Sequence, residues 1–244
     1  MFFLINNNYL AEQTHVFWTQ MELVVTRWAL CFRIEQMKRE LNIKDWNRKE
    51  HFEFFSKFEE PFFGVTVNID CTNARLYAKE KNISFFLLYL YRALKAANKI
   101  EPFRYRIMDN TVYVFDSVDA SPTINRPNGT FGFAYISYDE DESVFYTGAK
   151  QVIAQVEGST GLIPAVSGEN VIHFSALPWL QFTSISHARS FSFKDSCPKI
   201  SFGNIHSDNG REYIPVSIHV HHALMDGYHV GQFVDEFQRH LNQL

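Results

Sequence analysis

The segment His221-His222-Ala223-Leu224-Met225-Asp226-Gly227 sets an imidazole four residues ahead of a carboxylate and then a glycine. Imidazole is the side chain that gains and loses a proton near neutrality, so the segment offers a base, a metal ligand or a plain structural histidine. The run before it, Pro215 to Val220, alternates apolar and polar residues as a half-buried strand does. On that period Val216, Ile218, Val220 and His222 share a face, while His219 and His221 point the other way. His222 then ends an apolar stripe, where burial and neighbours tune an imidazole. A lone strand histidine is more often a satisfied core or surface group than a catalyst. A metal site would need further Cys, His or Glu at ligand spacing, and the sequence shows no such cluster, so no metal is expected.

These residues need a scaffold. Gly227 supplies a permissive turn, and Tyr228 to Leu241 carries Val230, Phe233, Val234, Phe237 and Leu241 at helical spacing. Upstream, Arg48 to Glu59 reads as a helix and Phe63 to Ile69 as a strand. Thr72 caps a helix running to Lys81, and Ser84 caps a long apolar one through Ala97. Phe103 to Ile107 and Thr111 to Phe115 flank Asp109-Asn110, a hairpin signal. Thr130 to Tyr138 reads as a strand and Glu142 to Val156 as a helix. The second half is strand-rich: Val171 to Ser175, Phe182 to Ile185, Lys199 to Ile205 and Arg211 to Val220, with a turn at Asp208-Asn209-Gly210. The pattern predicts an α/β fold, a two-layer sandwich with a mixed β-sheet and helices on one face.

The HHxxxDG pattern at His221–Gly227 marks a superfamily of coenzyme A-linked and carrier-linked acyltransferases. From Asn42 onward the chain resembles the trimeric, non-hexapeptide chloramphenicol acetyltransferases. The landmarks are Asp45-Trp46-Asn47-Arg48-Lys49-Glu50-His51-Phe52-Glu53-Phe54, Phe115-Asp116-Ser117-Val118-Asp119, Ser175-Ala176-Leu177-Pro178-Trp179, Val220 to Gly227, and Tyr228-His229-Val230-Gly231. They occur in the family's order and span roughly four-fifths of the chain. Condensation domains of peptide synthetases share the motif but need two such lobes. The acyltransferase cores of dehydrogenase complexes share it too, but follow a lipoyl domain and a flexible linker.

The resemblance implies acetyl transfer from acetyl-coenzyme A to a hydroxyl of chloramphenicol, inactivating the antibiotic, with no metal. By resemblance His222 is the general base and Ser175 donates a hydrogen bond to the oxyanion. Asp226 and Arg48 are expected to form a buried ion pair that holds the imidazole loop and the productive tautomer. Phe54, Phe55 and Phe131 match aromatic positions of the acceptor pocket, and Ser201 stands where a threonine is usual. His187 falls where the family usually has leucine; its ring would either hydrogen-bond a different acceptor or turn outward. The alternatives are an acetyltransferase for another small alcohol and a non-catalytic binding relative. The resemblance also implies a homotrimer with sites at subunit interfaces: His222, Asp226 and Arg48 from one subunit, Ser175 with Phe54 and Phe55 from the next.

Bulk properties agree. The 244 residues contain no linker-like tract, and the formal net charge of −4 argues against a nucleic-acid partner. Three cysteines without a CxxC pair suit a reduced, cytoplasmic protein. The 24 phenylalanines imply a large aromatic core. Residues 1–36 precede the resemblance, which begins just after Met37-Lys38-Arg39-Glu40. Their apolar run is interrupted by Arg27 and too short for a bilayer, so no membrane partner is expected. Residues 1–36 are expected to be an extension and 37–244 the acetyltransferase-like domain.

Overall fold

Eleven residues of strand, Arg211–His221, form the long axis on which the main sheet is built. The computed structural model describes residues 38–162, 168–191 and 194–243, so the expected extension over 1–36 lies outside the described residues. In chain order the elements are β1 (Lys38–Glu40), α1 (Lys49–Phe55), β2 (Phe62–Asp70), α2 (Thr72–Glu80) and α3 (Phe85–Lys99). There follow β3 (Tyr105–Met108), β4 (Thr111–Phe115), β5 (Asp119–Asn125), β6 (Phe131–Phe133) and α4 (Glu142–Glu157). The rest are β7 (Val171–Ala176), β8 (Lys199–Phe202), β9 (His206–Asp208), β10 (Arg211–His221) and α5 (Gly227–Asn242). The main sheet runs β2-β10-β8-β7-β5-β6, with β9 added to β10, and β1-β4-β3 form a small second sheet. β8, β7 and β5 are parallel and the other pairings antiparallel, so the sheet is mixed.

Local chemistry explains the boundaries. Ser84 accepts from Leu87 N at 3.4 Å and starts α3. Asp109 and Asn110 take φ of 49° and 63°, the two left-handed residues that close a tight β3–β4 hairpin. Asn209 and Gly210, at 47° and 77°, turn β9 into β10 in the same way.

The register sorts side chains between two unlike faces. Ile200 lies opposite both Phe174 and Ile218, and Phe202 opposite Val216. This apolar side meets the helices: Phe202 packs on Tyr89 of α3 at 4.4 Å between ring centroids and on Phe237 of α5 at 6.1 Å. α2 and α4 pack beside α3. One residue out of phase, the other face is polar. His173, Lys199, His219 and Gly64 form one row across β7, β8, β10 and β2. Ser175, Ser201, Ser217 and Thr66 form the next.

Two expected strands differ. Phe182–Ile185 is coil and pairs with no strand of either sheet. The expected strand over Thr130–Tyr138 shrinks to Phe131–Phe133 plus one bridge between Ala120 and Ile136.

Candidate active site

β10 ends at His221, and His222 begins the turn into α5. Its backbone N–H donates to Pro61 O at 2.8 Å, anchoring the turn to the residue before β2. The imidazole Nδ1 lies 3.2 Å from Met225 O. A carbonyl only accepts, so the proton sits on Nδ1 and the lone pair on Nε2, which takes no hydrogen bond among the described residues. The ring stacks on Phe55 at 4.0 Å and 24°, and leans on Phe63 at 4.6 Å. Phe63 lies opposite Val220 on β2, so strand pairing sets that wall of the imidazole slot.

Asp226 is the N-cap of α5 and accepts from Tyr228 N at 3.1 Å. His229 completes a capping box, with Nδ1 3.3 Å from Asp226 N and 2.9 Å from Asp226 Oδ1. The same carboxylate pairs with Arg48, which also donates through Nη2 to His222 O at 3.3 Å. One guanidinium therefore ties the start of α1 to both ends of the His222–Asp226 turn. Burial raises the Asp226 carboxyl, but the hydrogen bond and charge of Arg48 outweigh it and hold it below the usual range. The expected buried pair is only partly buried. The Arg48 side chain is 11% exposed and that of Asp226 33%.

The grouping of Phe54 and Phe55 with Ser175 is corrected. Arg48, Phe52 and Phe55 recur at i, i+4 and i+7, one helical face. Docking Arg48 on Asp226 therefore carries Phe55 against His222 in the same chain. Phe54, 58% exposed, extends the aromatic edge with Phe55 at 5.0 Å and Phe58 at 5.1 Å.

Ser175 stands elsewhere, on β7 opposite Ser201. Ser201 and Ser217 are buried with hydroxyls that find no partner among the described residues. His222 lies five residues beyond Ser217, about 17 Å along the strand, and Ser175 two strands aside, about 10 Å. Within one chain the imidazole and the Ser175 hydroxyl cannot reach a common reacting atom. Phe131 is on β6, two strands beyond Ser175 and edge-on to Phe133 at 5.6 Å.

His187 turns inward rather than outward. Its ring meets His219 edge to face at 4.7 Å, and its Nε2 is buried without a hydrogen-bond partner among the described residues. His219 fits because Gly64 faces it: a Cβ there would lie 1.8 Å from the His219 ring. Burial, with His187 adding, pushes His219 down to about 4; burial, with Arg189 adding, does the same to His221. Burial and the Lys199 charge lower His187. The polar face thus holds neutral imidazoles. Sequence reasoning missed His229, Gly64 and the His219 contact. A His three residues after a capping Asp is a legible signal for the first; the other two need the β2–β10 register.

Known proteins add a second line of observation. A chloramphenicol acetyltransferase family profile matches residues 37–238. Chloramphenicol acetyltransferase 3 of Escherichia coli is 31% identical over 204 residues, covering 82% of this chain and 95% of the relative. The chloramphenicol acetyltransferase of Proteus mirabilis is 29% identical over 204 residues, covering 83% and 94%. A solved chloramphenicol acetyltransferase superposes with a TM-score of 0.78 at 33% identity, covering 84% of this chain and all of that one. With that match spanning both the His222 turn and the Ser175 strand, the chain belongs to the chloramphenicol acetyltransferase family.

Proposed function

We propose that this protein transfers the acetyl group of acetyl-coenzyme A to a hydroxyl of chloramphenicol, with His222 as general base. One observation carries this reading: an Nδ1-protonated imidazole, its Nε2 free, is wedged between Phe55 and Phe63 in a chain of this family. An alcohol is a poor nucleophile toward a thioester. As its oxygen attacks the carbonyl carbon, Nε2 takes the hydroxyl proton, which contributes about 100- to 10,000-fold in rate. The tetrahedral oxyanion then accepts from the Ser175 hydroxyl, a donor typically worth about 3 kcal/mol. The C–S bond breaks, the leaving thiolate takes the proton back from imidazolium, and an acetyl ester and free coenzyme A result. Phe54, Phe55, Phe131, His187 and Ser201 supply the acceptor pocket.

The separation of Ser175 from His222 within one chain supports a homotrimer whose sites form between neighbours. His222, Asp226, Arg48 and Phe55 come from one subunit and Ser175 with Ser201 from the next. The unpartnered Ser201 and Ser217 hydroxyls fit a face completed by another chain or by substrate. Residues 1–36 stand outside the catalytic domain, so a chain starting at Met37 keeps its activity. Free, buried Cys71 and Cys197 fit the reducing cytoplasm. No helix of the described residues is long and apolar enough to cross a membrane.

The test is mass spectrometry of chloramphenicol incubated with acetyl-coenzyme A and protein. The expected result is the gain of one acetyl group, abolished in His222→Ala with coenzyme A binding retained. Unmodified chloramphenicol with wild-type protein rejects the acceptor, and more than a tenth of wild-type rate in His222→Ala rejects the base.

A further inference from the structure

Away from His222, the polar face of the main sheet gathers a second set of ligating side chains. His173 on β7 and Asp195 and Cys197 just ahead of β8 each offer one ligand atom, all within 4.8 Å of one another. Glu169, two residues before β7, adds a carboxylate oxygen 3.9 Å from Cys197 Sγ. These four side chains line a cavity of about 350 Å³. Among the described residues none hydrogen-bonds the His173 ring, so its nitrogens are available to the cavity.

The occupant of the cluster is a lysine head. Lys199 Nζ pairs with Asp195 and reaches Cys197 O at 3.2 Å. A cation is therefore already favoured at this point, but an ammonium uses neither the thiol nor the imidazole. A thiol, an imidazole and a carboxylate whose ligand atoms lie within 4.8 Å of one another, with a second carboxylate beside the thiol, suit a tetrahedral, borderline-soft ion, and not magnesium or calcium, which take oxygen alone.

We propose that His173, Asp195, Cys197 and Glu169 form a binding site for a zinc-class divalent cation, which enters by displacing the Lys199 ammonium from Asp195. The Cys197 S–H bond breaks as the sulfur–metal bond forms and its proton leaves to solvent; nothing is oxidised or reduced. Glu169 and His173 come from the entry to β7, and Asp195 and Cys197 from the entry to the parallel β8, so the ion ties together the starts of two neighbouring strands. This site is independent of acetyl transfer, because none of the four ligands belongs to the set assigned to the reaction.

The full chain, freed of metal by a chelator and kept reduced, is titrated with cobalt(II) as a spectroscopic stand-in and then with zinc(II). One equivalent per chain is expected, with a near-ultraviolet thiolate-to-cobalt absorption that zinc abolishes. Cys197→Ser loses that absorption, while Cys31→Ser and Cys71→Ser keep it. His173→Ala weakens binding about tenfold or more. Lys199→Gln removes the competing ammonium and tightens binding; a merely structural Lys199–Asp195 pair would not give this. Circular dichroism verifies that each variant is folded, and the wild-type titration and Lys199→Gln decide the matter if Cys197→Ser is not. No thiolate absorption at stoichiometric cobalt in wild type, its survival in folded Cys197→Ser, or unchanged or weakened affinity in Lys199→Gln overturns the site.

Discussion

Asp226→Asn separates positioning from chemistry, because the structure assigns Asp226 three contacts and none to the His222 ring. Asparagine keeps the size and can still cap α5 by accepting from Tyr228 N, now 3.1 Å from the carboxylate. What it removes is the charge facing Arg48. A fully buried pair broken on one side costs about 3–5 kcal/mol, and an exposed pair is worth at most about 1. With Arg48 11% and Asp226 33% exposed, the expected loss is intermediate, about 2 kcal/mol. For a chain of this size that lowers the unfolding midpoint by about 4–8 °C. The His222 tautomer is held by Met225 O and not by Asp226, so activity should fall through misplacement, about 10- to 100-fold, and not to the level of base removal. The sign of the pH dependence follows from the Asp226 carboxyl, held below its ordinary 3.8 in the folded chain. Its stabilisation is fully present above that ordinary value and is lost as pH falls through the lower, folded one. Thermal melts of wild type and variant at pH 7.5 and below pH 4, with steady-state kinetics at neutral pH, read all three numbers. An unchanged midpoint with activity as low as His222→Ala would refute this account and give Asp226 a direct chemical role.

Three further outcomes follow from the same geometry. If His222→Ala and Ser175→Ala chains are unfolded and refolded together in equal amounts, about a quarter of sites should combine an intact base with an intact neighbouring serine. Recovery no greater than the parents' average would mean that each subunit carries a whole site. Gly64→Ala pushes a methyl into the His219 ring and should cost about 1–3 kcal/mol by denaturant titration, largely restored by adding His219→Ala. Failure of the second change to rescue would place the clash elsewhere. His219 and His221 are held down to about 4, while the unfolded chain protonates them near 6.5. Stability should therefore be full above about 6.5 and decline as pH falls toward 4, since the unfolded state binds more protons there. Urea midpoints at pH 7.5, 6 and 5 measure the slope, and His219→Gln with His221→Gln should flatten it.

Much of this protein was legible one-dimensionally, because the relevant forces are local. The alternation over Pro215–Val220 and the helical stripe from Val230 to Leu241 became β10 and α5. Asp109-Asn110 and Asp208-Asn209-Gly210 closed turns because left-handed backbone is a property of those residues. The family was legible for another reason: the HHxxxDG segment and the landmarks around Arg48 and Ser175 stand in the family's order, within the matched residues 37–238. The segment over Phe182–Ile185 was misread because its pattern is that of a strand, yet whether a strand forms is decided by pairing with another strand, and this segment has no such pairing. Phe55 could not be assigned to the His222 side from sequence, since 167 positions of chain separate them and it is the docking of Arg48 on Asp226 and His222 O that joins their elements. His187 was undecided between inward and outward until the β2–β10 register set Gly64 beneath His219 and opened room for both rings. The His173–Asp195–Cys197 cluster shows no ligand-like spacing, because parallel pairing of β7 with β8 brings it together across the sheet. Spacing along the chain reports helices, turns and motifs; which side chains share a pocket is decided by strand order and register.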